Sequence, residues 1–92
     1  MIFEWGPAKA TSNERKHRVS FDEAITVWED PNRIEIPDVG HSDDQEERII
    51  TIGLSSRLRL LFVVYMERHE AIRLISARRA NRAETSRYFA GT

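Results

Sequence analysis

The chain has 92 residues and a mass of 10.7 kDa, enough for one domain over 1–92 with a single core. It contains no cysteine, which excludes disulfide scaffolds, Cys-ligated zinc, iron–sulfur clusters and thiol catalysis. Its net charge of −1 hides an asymmetry: residues 1–56 hold six Lys/Arg against twelve Asp/Glu, whereas 57–92 hold eight Arg against three Glu. Such segregation points to nucleic acid or a complementary protein, or to two solvated faces that attract each other. The longest apolar run, Leu60 to Met66, is far shorter than the roughly 20 residues that span a bilayer. No basic segment leads into a long apolar one at the N-terminus, so a soluble cytoplasmic protein is expected.

Ile2-Phe3-Glu4-Trp5 is rich in strand formers and is stopped by Gly6-Pro7. Pro7 suits the first turn of a helix over Ala8 to His17. Ser20-Phe21-Asp22-Glu23 has the form of a capping box, with Ser20 accepting from the Glu23 amide and Glu23 reaching back. The helix that follows gathers Phe21, Ala24, Ile25, Val27 and Trp28 on one side and ends at Asp30-Pro31. Arg33 to Ile36 reads as a short strand, leading into an acidic loop that runs to Glu47 and includes His41. Arg48 to Leu54, Arg59 to Met66 and Ala71 to Arg78 are strand-like runs separated by short polar turns. A basic helix over Asn81 to Phe89 then precedes Gly91.

Consecutive strands on short loops imply an antiparallel β-meander, and helices at both ends of the chain imply an α+β fold with helices packed on one face. The other face is left for binding. On the first helix Lys9, Asn13, Lys16 and His17 fall on one stripe, offering two cations, an amide and an imidazole where an apolar stripe would face a core. The alternative is a plain exposed face with His17 complementing the helix dipole. Successive strand residues face opposite sides, so Arg73 and Arg79 fall on one face, and Arg78 on the other with Leu74 and Ser76. An Arg among core residues is costly unless paired, so Arg78 either caps the strand end or is held for a purpose such as phosphate chemistry, the plain alternative being an ion pair with one of the many carboxylates. Arg57, Arg59, Arg68, Arg82 and Arg87 add to the basic half, and Tyr65, Tyr88 and Phe89 are aromatics of the kind that stack on bases. His41 and His69 read as surface residues, and no catalytic triad, P-loop, EF-hand or paired-His zinc motif is present.

Phe3-Glu4-Trp5, Lys9, Asn13 to His17, Val19-Ser20-Phe21 and Glu23-Ala24 resemble the start of the BrnT toxins. The resemblance continues through Asp30-Pro31, His41-Ser42, Glu47-Arg48, Ile52-Gly53, Ser55, Tyr65, Arg73 to Arg78, Ala80, Glu84 and Tyr88. It departs at Gly6, where the family has Asp, and at Arg18, where the family has Gly. The resemblance implies a RelE-like fold and the toxin half of a type II toxin–antitoxin pair. Such a toxin cleaves RNA and arrests translation. A BrnA-type antitoxin neutralises it, and operator DNA is contacted only through that antitoxin. Matched by position, Lys16, His17 and Arg78 are the expected catalytic residues, with Arg68 added, and no metal or cofactor is expected. Lys9, Arg73, Arg79 and Arg82 are the expected RNA-binding residues. A non-catalytic module that binds nucleic acid or protein through its basic half is the alternative.

Overall fold

The structure is a computed structural model and describes residues 1–38, 40 and 47–91. Most of the acidic loop, including His41, lies outside the described residues. The elements run β1 (Ile2–Glu4), α1 (Pro7–His17), α2 (Phe21–Ala24), a 3-10 turn (Ile25–Glu29), β2 (Ile34–Pro37), β3 (Arg48–Leu54), β4 (Leu60–Arg68), β5 (Ala71–Arg79) and α3 (Arg82–Ala90). β2 to β5 form the expected antiparallel meander. Sequence pattern alone did not show where β1 belongs: it adds in parallel to β5, giving one five-stranded sheet of order β1-β5-β4-β3-β2. The fold is α+β with a mostly antiparallel sheet.

One face of the sheet is the main core. Val19, Phe21, Ala24 and Val27 pack there against Leu61, Val63, Tyr65, Leu74 and Ala77, all buried. Gly53 suits the close approach at this contact, because a Cβ there would lie 3.0 Å from Arg33 Cβ and 3.1 Å from Val27 Cβ. Phe3, Trp28 and Tyr65 join the core through edge-to-face ring contacts, with centroids 5.0 Å apart in each pair. The opposite face carries a smaller apolar strip of Val64, Met66 and Ile75, flanked by Ile50 and Phe62. α3 lies against β3 and is capped by Asn81 and Glu84 in a reciprocal capping box.

β5 is not an unbroken strand. Val64 of β4 is opposite Ser76, but the next residue, Tyr65, is opposite Leu74, so Ile75 is an extra, bulged residue. The bulge reverses the inside–outside alternation beyond it. Arg73 (opposite Met66), Ser76 (opposite Val64) and Arg78 (opposite Phe62) therefore share the second face, while Leu74 and Ala77 point into the core. The unbroken-strand expectation, which put Arg78 with Leu74 and apart from Arg73, is corrected on this point. Arg79, opposite Leu61, falls on the other side from Arg78.

Candidate active site

β1 accompanies β5 only as far as Arg73, and beyond it α1 takes over the strand edge. The contact is made by Asn13, only 6% exposed. Its Nδ2 donates to the Ala77 carbonyl at 2.8 Å and the Val19 carbonyl at 3.0 Å, and its Oδ1 accepts from the Ala77 N–H at 3.0 Å. One amide side chain thus answers both backbone groups of Ala77, as a neighbouring strand would, and removes the cost of leaving them buried and unpaired. The amide of the sequence stripe is therefore structural. The rest of the stripe is presented by it: Lys9, Ser12, Lys16 and His17 line an open groove of about 160 Å3 whose other wall is Ile75 and Ser76.

The side chains of Lys9, Lys16, His17 and Arg73 make no hydrogen bond or ion pair among the described residues. Unpaired lysines at a groove, here Lys9 and Lys16, are available to an anion, and a phosphodiester is an anion that several cations in a row suit. Arg78 differs. Its Nη1 and Nη2 donate to the two carboxylate oxygens of Glu84 at 2.9 and 2.8 Å, and its guanidinium lies 4.0 Å over the Phe62 ring. Burial pushes the Glu84 carboxyl up, but the Arg78 hydrogen bonds and the Asn81 amide outweigh it and hold the group below its usual range.

The structure brings Lys9, Lys16 and His17 together on α1 and sets Arg73 and Arg78 on either side of Ser76 on the adjoining strand face. Arg79 and Arg82 are exposed where β5 passes into α3. Arg68 stands apart. It is opposite Ala71 at the hairpin end of the sheet, about 20 Å along β5 from Arg78 at the rise of a strand. Sequence reasoning missed Ser76 as a wall of the groove, because the bulge that turns it there is invisible to strict alternation. It also missed Glu84 as the partner of Arg78.

A second cluster lies beneath the turn that follows α1. Glu23, 5% exposed, does not reach back to Ser20 as a full capping box requires, although Ser20 accepts from the Glu23 amide at 3.1 Å. Its carboxylate is drawn instead to Arg59, whose Nε donates at 2.9 Å and whose Nη2 makes a second, closer bond, and to the Ser55 hydroxyl at 2.7 Å. Arg57 adds a contact at 3.7 Å. The Arg59 hydrogen bond is the main reason that the Glu23 carboxyl sits below its ordinary value. Arg59 Nη2 also donates to the Arg18 carbonyl at 3.0 Å. Arg18 has φ 59° and ψ 30°, the left-handed conformation that glycine adopts most readily, and its N–H closes α1 on Glu14. The helix end next to His17 thus keeps its left-handed form without glycine.

The aromatics divide. Tyr65 is a core residue whose hydroxyl donates to Glu35, and burial pushes its pKa up. Tyr88 donates to Asp30 at 2.6 Å, which raises its pKa to about 12, while Phe89 is 77% exposed. A larger open hollow of about 500 Å3 lies between these residues and Pro31 to Ile34. Its Arg33 already faces Glu35 at 3.3 Å and its Tyr88 is held by Asp30, so it offers an anion less than the α1 groove does. No group of three or more His, Asp or Glu is placed to hold a metal among the described residues.

Comparison with known proteins agrees in fold with the crystal structure of the Brucella abortus ribonuclease toxin BrnT. The TM-score is 0.67 at 21% identity, covering 89% of this chain and all of that one. Among curated proteins, none matches the sequence. Residues 5–84 match the family described as the ribonuclease toxin, BrnT, of type II toxin–antitoxin systems, a span that holds the whole groove, Arg78 and Glu84. The chain belongs to the BrnT family of ribonuclease toxins.

Proposed function

We propose that this protein is an endoribonuclease toxin that cuts RNA without a metal ion, arrests translation in the cytoplasm when unopposed, and is neutralised by a BrnA-type antitoxin. The observation that carries the reading is the groove between α1 and β5, where Lys9, Lys16 and His17 converge without carboxylate partners among the described residues. In the proposed reaction the 2′-hydroxyl of the RNA attacks the adjacent phosphorus and the 5′-oxygen of the next nucleotide leaves. The products are a 2′,3′-cyclic phosphate and a free 5′-hydroxyl. His17 moves the proton, while Lys16 and Arg78 stabilise the negative charge that grows on the phosphoryl oxygens. Lys9, Arg73, Arg79 and Arg82 bind the flanking phosphates. Arg68 lies at the hairpin end of the sheet, away from the α1 groove, and is given no step in this scheme.

The antitoxin is proposed to cover the basic half with an acidic segment, blocking RNA by occupying the same cations, and to be the component that contacts operator DNA. The primary test is cleavage of an end-labelled single-stranded RNA by purified protein in EDTA. The expected products end in a cyclic phosphate. RNA that is bound but left intact would favour the non-catalytic binding module, and RNA neither bound nor cut would overturn the ribonuclease reading and leave a module that binds protein.

A further inference from the structure

The Arg78–Glu84 pair joins two elements that share no core: the end of β5 and the first turn of α3. Glu84 answers four demands at once. Its two oxygens accept from both terminal nitrogens of Arg78, one of them also accepts from the Asn81 N–H at 2.8 Å, and the Glu84 amide donates to Asn81 Oδ1 at 2.8 Å. Its own backbone is therefore fixed by the helix cap before its side chain meets the guanidinium. Arg78 is further confined from below by the Phe62 ring, and Nη1 also donates to the Arg79 carbonyl at 3.2 Å. An arginine on an exposed sheet face ordinarily samples many rotamers, and here the carboxylate, the ring and the carbonyl select one.

From this geometry we infer that Glu84 is a positioning residue for the ribonuclease reaction, acting through Arg78. It holds the guanidinium plane against Phe62, so that the edge turned away from Glu84 meets the scissile phosphate already oriented. Resting on the proposed role of Arg78, the inference assigns Glu84 no contact with RNA. A merely structural Glu84 would serve only the cap of α3, and glutamine serves a capping box as well as glutamate does. Glu84→Gln thus keeps the helix cap and removes the charge-assisted grip on Arg78.

The experiment compares wild type, Glu84→Gln, Arg78→Ala and the double variant, measuring kcat and KM on one labelled single-stranded RNA. Thermal melting and the Nε–Hε and Nη NMR signals of Arg78 are recorded alongside. Glu84→Gln is expected to lower kcat by roughly 10–100-fold, with a much smaller change in KM, because misplacing a catalytic group affects the rate more than binding. Its melting temperature should stay near that of wild type, while the Nη signals, separated in wild type by hindered rotation, should merge. In the Arg78→Ala background Glu84→Gln should add nothing, since its effect passes through the missing side chain. A Glu84→Gln protein with wild-type kcat, beside an Arg78→Ala protein that is impaired, overturns the inference and leaves the ribonuclease reading standing. So does a further loss in the double variant. A wild-type protein that does not cut RNA, or an Arg78→Ala protein as fast as wild type, overturns the role of Arg78 and the inference with it.

Discussion

The Glu23–Arg59 cluster and the α1–β5 groove meet at the Arg18 turn and use positive charge in opposite ways. Beneath the turn, Arg59 is locked to a buried carboxylate, a hydroxyl shares that carboxylate, and the guanidinium also holds the Arg18 carbonyl. Above it, Lys16 and His17 face an open groove with no counter-ion among the described residues. Both regions are rich in cations, so composition does not tell them apart. What separates them is whether the fold supplies the partner. Where it does, the charge is part of the scaffold, and where it does not, the partner is expected from outside.

The sharpest way to break this contrast is to remove a scaffold cation. Arg59→Ala strands a buried carboxylate and should destabilise the fold by about 3–5 kcal/mol, a large share of what a domain of this size has. Urea unfolding at neutral pH reads the loss directly. The sign with pH follows from Glu23, whose folded pKa is depressed by Arg59. Its contribution is complete above the ordinary carboxylate value and disappears as pH falls through the folded one, so wild type and variant should converge in acid. A gap that stays constant in acid would show that the ion pair is not its source.

The groove should behave in the reverse manner. His17→Ala is expected to slow RNA cleavage by about 10²-fold, the lower range for loss of a proton-transfer group, because in the proposed reaction Lys16 and Arg78 still stabilise the phosphoryl charge. Stability should change by less than about 1 kcal/mol, the scale of an exposed His at a helix C-terminus. If His17→Ala melts far below wild type, the imidazole belongs to the scaffold and the contrast fails.

The smallest effect lies on the boundary between the two regions. Arg18→Gly relieves a left-handed L-residue and keeps the carbonyl that Arg59 holds, so it should stabilise the protein by about 0.5–1 kcal/mol. Differential scanning calorimetry is sensitive enough to decide the sign. Destabilisation would mean that the Arg18 side chain contributes more than its backbone loses.

The sequence makes the strong strands legible because β3, β4 and the first half of β5 are rich in branched and aromatic residues on short turns. α1 and α3 are likewise readable from Pro7 at the start of one and Gly91 at the end of the other. The bulge at Ile75 is written only faintly. Core positions 72, 74 and 77 change from a spacing of two to three, and that odd step is the signature of an inserted residue. Two site features were beyond local pattern because their partners are remote. Ser20 and Glu23 satisfy the capping-box template, but the Glu23 carboxylate is won by Arg59, 36 residues away. Asn13 reads as one more polar residue on a helix until Ala77, 64 residues on, supplies the edge that it completes.

That Asn13–Ala77 contact also bears on when the protein becomes active. The chain is synthesised from its N-terminus, so α1 leaves the ribosome well before the strand whose edge it covers, and β1 must likewise wait for Ala71 to Arg73. Contacts of this sequence separation are late and slow to form, whereas the β4–β5 hairpin is local. The two walls of the groove are thus brought together by the last strand of the sheet to be made. A translating ribosome that stalls before β5 holds a chain with every groove residue of α1 already present and nothing for them to face.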